Sequence, residues 1–216
     1  MKIKKSFLAF FCTASLIAHT ILVLITYYCM KTDEDPKFPS LFQTIINWKI
    51  LAVFSFFFSI TLILYLLFAL GVGHTIAFIN VQIGNILNII SYLKITLLFV
   101  TTYIPRNEYY YVNFVMLVIF IVLLFIWLIL ISIAENKPRL EQNSHDYLLI
   151  LLAALVGICG LLYLVFGAIN QNYSQYIMAA ISYVLVILMC GVPLLLRQEL
   201  VELDINITFD PPLIRY

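Results

Sequence analysis

Long apolar stretches broken by short polar ones set the rhythm of this chain. About 20 consecutive apolar residues are enough for a helix to cross the hydrocarbon core of a bilayer, and lipid offers no partner to a backbone that is not helical. The pattern predicts six such spans, at about Phe7 to Tyr28, Ile50 to Leu70, Ile76 to Ile104, Val112 to Ala134, Tyr147 to Ile169 and Tyr176 to Leu196. Charges and two prolines make Lys31 to Ser40 a loop, and Glu135 to Asp146 is a second hydrophilic break. Gly71-Val72-Gly73 is expected to end the second span, and Gly191 with Pro193 to bend the end of the sixth. The chain reads as one transmembrane domain over residues 1–216, an all-α bundle, with a polar tail from Arg197 that includes one more helical turn.

The third span is the most polar. It contains Asn80, Gln82, Asn85, Asn88, Ser91, Lys94 and Thr96. At about 100° per residue, Asn85, Asn88, Tyr92 and Thr96 fall on one stripe, and that stripe is expected to face other helices. An interfacial or re-entrant path for this segment is the alternative and would leave five crossings. The first span follows Lys2, Lys4 and Lys5, as a secretory signal does, but its apolar run is longer than a signal core and no clean small-x-small site follows. It reads as a retained signal anchor.

Composition agrees with lipid as the solvent. Of 216 residues, 64% are apolar and only 11% charged, too few to clothe a soluble globule. The formal net charge of +1 gives no basic face for nucleic acid. Cys12, Cys159 and Cys190 lie within apolar runs and Cys29 at the edge of one, a placement that suits buried free thiols better than disulfides or a zinc site. Nothing calls for a cofactor.

Lysine and arginine placement sets the expected orientation. With six spans and a cytosolic start, Lys2, Lys4, Lys5, Lys137, Arg139, Arg197 and Arg215 lie inside, against Lys31, Lys37, Lys49 and Arg106 outside. The aromatic residues Tyr27, Tyr28, Trp48, Tyr103, Tyr109, Tyr110, Tyr111, Tyr173 and Tyr176 would then share the outer boundary, where amphipathic rings anchor. Five spans would scatter this belt.

One lysine and one histidine stand inside spans. Lysine near the bilayer centre costs about 2.5–3.5 kcal/mol, so Lys94 is a functional suspect by default. No Asp or Glu lies in any span to pair with it. In a helix starting near Ile76, Lys94 falls toward the outer end, where its stem can snorkel to water; an ion or headgroup role is the alternative. His19, near the middle of the first span, is expected to hydrogen-bond a neighbouring helix rather than carry protons, and Asn85 and Asn88 to bond between helices rather than line a pore. The sequons at Asn172 and Asn206 are weak, the first close to the membrane and the second cytosolic in this arrangement. There is no His-Glu-x-x-His, no Gly-x-Ser-x-Gly, no phosphate-binding glycine loop and no paired intramembrane carboxylates. The three histidines, His19, His74 and His145, are too scattered to suggest a metal centre. No catalytic, cofactor-binding or metal residue is expected.

Several fragments resemble the damage-regulated autophagy modulator family, within the wider group that contains the GPI-lipid-remodelling six-span proteins. They are the aromatic-proline stretch Lys37-Phe38-Pro39-Ser40 in the first loop, Gly84-Asn85-Ile86-Leu87-Asn88 near the opening of the third span, and His145 just before the fifth. The clearest likeness is the end of the sixth span, Leu194 to Ile205, where an acidic residue and spaced aliphatics lead into a cytosolic tail. The likeness covers nearly the whole chain as layout rather than strict motif. Departures are the missing Ser-Asp-x-Gly stretch of the first loop, Tyr183 where many members carry an acid, and a short second loop without basic residues. The resemblance implies a non-enzymatic multi-pass protein of lysosomal, Golgi or plasma membranes that modulates autophagy or membrane-lipid organisation, with lipids or membrane proteins as partners. Two other readings stay open from the residues: a small transporter or channel using the polar third span, and a membrane-embedded lipid-modifying enzyme.

Overall fold

The computed structural model describes residues 5–30, 48–103, 110–135, 144–169 and 172–200, with side chains described over 8–29, 56–101, 111–134, 147–169 and 176–196. The loop from Lys31 to Ser40, most of the hydrophilic break before the fifth span, the tail beyond Leu200 and the side chains of Trp48, Tyr103, Tyr109, Tyr110, His145 and Tyr173 lie outside these residues. Six helices run in order: α1 Lys5–Met30, α2 Trp48–Ala77, α3 Val81–Tyr103, α4 Tyr110–Glu135, α5 Ser144–Ile169 and α6 Asn172–Leu200. Each is long and apolar enough to cross a membrane. The fold is an all-α, six-span bundle.

Two boundaries differ from expectation. α2 does not stop at Gly71-Val72-Gly73 but continues to Ala77. Glycine costs a helix about 1 kcal/mol per residue in water, whereas a backbone group left unpaired in lipid costs several, so the lipid phase overrides the glycines. The stop comes from Asn80. Its Oδ1 accepts hydrogen bonds from the backbone N–H of Gln82 at 3.1 Å and of Ile83 at 3.2 Å, an N-cap that starts α3 at Val81 rather than Ile76. α6 runs on through Pro193 to Leu200.

Chain neighbours pack as spatial neighbours, and α6 returns to pack on α1, so the six helices form a closed ring with α2 and α6 also touching across it. Below, the near side is the face where α1 begins and the far side the face where it ends. Hydrogen bonds between helices help to tie the ring. Ser15 and Thr61 join α1 to α2 at 2.7 Å, the Thr13 hydroxyl donates to the Cys190 carbonyl of α6 at 3.2 Å, and the Asn113 amide donates to the Thr101 carbonyl of α3 at 3.1 Å. Such bonds contribute about 0.6 kcal/mol each on average, so packing carries most of the association.

Small residues set the closest approaches. A Cβ on Gly84 would meet the backbone and Cβ of Ala77, and one on Gly73 would meet the Asn88 side chain, so α2 and α3 touch at their shared turn. On α5, Gly160 and Gly167 receive Ile121 and Phe114 of α4, and Phe114 stacks on Tyr163 with centroids 5.7 Å apart. Glycine here is a hole for a neighbour's knob.

Candidate functional site

Burial reverses the expected orientation of α3. Lys94 is 0% exposed, and Ser91, Leu87, Leu98 and Thr101 are buried with it. Gly84 and these residues recur every three or four positions, so they form one inward stripe. At about 100° per residue, Lys94 stands roughly 180° from Asn85 and roughly 160° from Tyr92, so both cannot face the interior. Asn85, Tyr92 and Thr96 are exposed on the outside of the bundle. Only Asn88 turns partly inward, against Gly73, and its Oδ1 has no hydrogen-bond partner. The expected inward stripe is therefore corrected to an outward one.

Snorkelling is corrected too. α3 begins at Val81, which puts Lys94 about 20 Å from that end and about 14 Å from Tyr103, close to the middle of a core roughly 30 Å thick. A helical side chain leans toward its own N-terminus, here away from the closer end. Instead of reaching water, the Lys94 Nζ lies 3.5 Å from the centroid of the Trp127 ring on α4 and 5.4 Å from that of Tyr65 on α2. Trp127 is 0% exposed.

The magnitudes show what this contact achieves. An ammonium over a desolvated indole gains about 2 kcal/mol, a large part of the 2.5–3.5 kcal/mol that a mid-membrane lysine costs. It supplies no hydrogen-bond acceptor. Nζ of Lys94, Nε1 of Trp127 and the hydroxyl of Tyr65 all lack a hydrogen-bond partner. Among the described residues two thiols lie within electrostatic reach: Cys12 of α1 lies near Lys94, and Cys190 of α6 near Cys12 and Tyr65. Helices α1, α2, α3, α4 and α6 thus meet in one buried layer rich in donors. Among the described residues no cluster of histidines, cysteines and carboxylates has the makings of a metal site, and all four cysteines are free, Cys29 alone being exposed.

Beyond this layer, toward the far side, lies a cavity of about 70 Å³. Every helix contributes to it, through residues that include His19, Phe58, Leu98, Ile121, Tyr163 and Ser182. Its walls are almost wholly apolar, a lining that suits hydrocarbon rather than an ion. His19 is buried and packs its ring on Phe58 of α2 with centroids 5.0 Å apart. The cavity was not legible in the sequence because each helix supplies only one to four of its lining residues. The hydroxyls that tie the helices, Thr13, Ser15 and Thr61, were also missed; their signal was simply a polar residue inside an apolar run.

The fold and its buried polar layer define an integral, multi-pass helical membrane protein. No family model, curated protein or solved structure matches the chain.

Proposed function

We propose that this protein is a non-enzymatic membrane protein that acts through contacts with lipid, the end of an acyl chain reaching into its ring of helices, and so modulates the organisation of the membrane around it. One observation carries the reading: six helices close around a cavity walled by apolar side chains. Hydrocarbon gains dispersion contacts in such a space, whereas an ion or a sugar would lose its hydration without compensation. The resemblance to the damage-regulated autophagy modulators adds a setting, a lysosomal or other endomembrane with both chain termini in the cytosol, and autophagy as the process modulated.

The test is lipid analysis of protein purified in mild detergent. A defined lipid should co-purify at near-stoichiometric amount, and Leu185→Trp, which fills the cavity, should lose it while still eluting as a single species. Retention of the same lipid by Leu185→Trp would overturn the cavity as its site. In cells, loss of the protein should alter autophagosome turnover, and the Leu185→Trp variant should fail to restore it.

A second reading has its own observation, the fully buried Lys94, which suits a carrier or channel that moves an anion. Flux in proteoliposomes that disappears in Lys94→Ala would favour it over the lipid-holding reading.

A further inference from the structure

We propose that the outward face of α3 is a self-association surface, on which a second copy of this chain docks its own α3 about a two-fold axis normal to the membrane. The inference is independent of the cavity and goes beyond the reading of the protein as a bundle that contacts lipid.

The lipid-facing surface of the ring is polar in one place. On α1, α2, α4, α5 and α6, every exposed polar side chain among the described residues lies within three residues of a span end, as His74 and Tyr111 do. On α3, Asn85, Tyr92 and Thr96 are exposed four, eleven and fifteen residues in from Val81. They stand about 6, 17 and 23 Å along the helix, within the roughly 30 Å of hydrocarbon. Thr20 and Thr26 of α1 turn their hydroxyls back onto their own helix, each at 2.8 Å. Among the described residues, the side chains of Asn85, Tyr92 and Thr96 make no hydrogen bond. Lipid tails offer none either, so a lone bundle leaves these groups unpaired at a cost.

Their spacing is that of a seam between helices. Gln82, Asn85, Ile89, Tyr92, Thr96 and Phe99 are all exposed and follow one another at alternating steps of three and four. Such a line keeps to the contact side of a helix that supercoils left-handedly with a partner at about 20°. It runs about 26 Å, most of the hydrocarbon thickness.

The chemistry of the line favours a second copy as the partner. An amide or a hydroxyl both donates and accepts, so each such residue is complementary to its own duplicate. Copies inserted the same way hold their α3 helices parallel, and a two-fold axis sets each residue against the same residue at equal depth. Asn85 of one copy then meets Asn85 of the other in a reciprocal amide pair, Thr96 meets Thr96, and Ile89 packs on Ile89 between them. The line carries no charge, so identical faces do not repel.

Disulfide trapping tests this in membranes of cells that express the full chain, where all copies insert in one direction. Cys29, the exposed native thiol among the described residues, is removed by Cys29→Ser. One new thiol is then placed on the seam by Ile89→Cys, or on the outer face of α5 by Ile158→Cys. The two positions are about equally open, at 59% and 54% exposed. Oxidation with copper-phenanthroline should link the Ile89→Cys chains into a product of twice the mass of one chain and leave the Ile158→Cys chains single. No product, or equal yields at the two positions, overturns the surface. A product of another mass overturns the second copy in favour of a different membrane protein. In vesicles, energy transfer between copies labelled at Cys29 is followed on dilution with lipid. Asn85→Leu combined with Thr96→Val should weaken pairing at least about tenfold, the factor that two or three membrane hydrogen bonds of average strength supply. In excess detergent, where the copies part, this variant should unfold as the parent does, which shows the bundle intact. Pairing as tight as the parent's overturns the polar seam.

Discussion

The two faces of α3 carry comparable polarity and meet opposite fates. Inward lie Ser91, Lys94 and Thr101; outward lie Asn85, Tyr92 and Thr96. On the inner face the two hydroxyls bond back to their own helix, Ser91 to the Leu87 carbonyl at 2.7 Å and Thr101 to the Leu98 carbonyl at 2.8 Å. Lys94 has no such recourse and takes Trp127 instead. Which face turns inward is thus decided by partners on other helices, with α4 and α2 supplying the aromatic rings that receive the lysine. Polarity alone does not choose.

That contrast can be broken, in descending order of effect. Trp127→Ala removes a fully buried ring and the nearer of the two rings described against the lysine; it should destabilise the bundle by about 3–5 kcal/mol, read by reversible unfolding in mixed micelles. A loss below about 1 kcal/mol would mean the indole is not part of the core. Lys94→Met keeps the volume and deletes the charge, so it should raise stability by about 1–2 kcal/mol, since a buried ion without an acceptor is commonly improved by an apolar isostere. If that substitution instead costs stability, the ammonium is satisfied by something the helices themselves provide. On the outer face, Tyr92→Leu should change stability by no more than about 0.5 kcal/mol, because the side chain is 53% exposed and touches little of the bundle. A large loss there, reported by the same unfolding assay, would place Tyr92 in a contact with another chain.

The number of spans was legible because hydrocarbon imposes a length that hydropathy reports directly. All six helices stand close to the apolar runs that predict them. The end of α2 was not, since Gly71 and Gly73 read as breakers only in water, while the signal that mattered was the capping side chain of Asn80 a few residues on. The orientation of α3 was misjudged for a related reason. Four polar residues in a stripe suggested an interior face, but a stripe of Gly84, Leu87, Ser91, Lys94 and Leu98 at the same spacing was equally available. Only the positions of Trp127 and Tyr65, more than 25 residues away on either side, decide between them. His19 is buried, yet its neighbour Phe58 belongs to another helix, and so do most of the other walls of the cavity.

The seam between α1 and α6, fastened where Thr13 meets the Cys190 carbonyl, joins the earliest and latest of the six helices to leave the ribosome. A chain that has inserted five helices therefore has an open crescent in which Leu16, His19 and Val23 look onto bulk lipid. Synthesis of α6 closes the crescent around whatever lies inside. A molecule enclosed in that step would be loaded during biogenesis, and expression of the first five helices separately from the sixth should then yield a protein loaded differently from one made in a single passage.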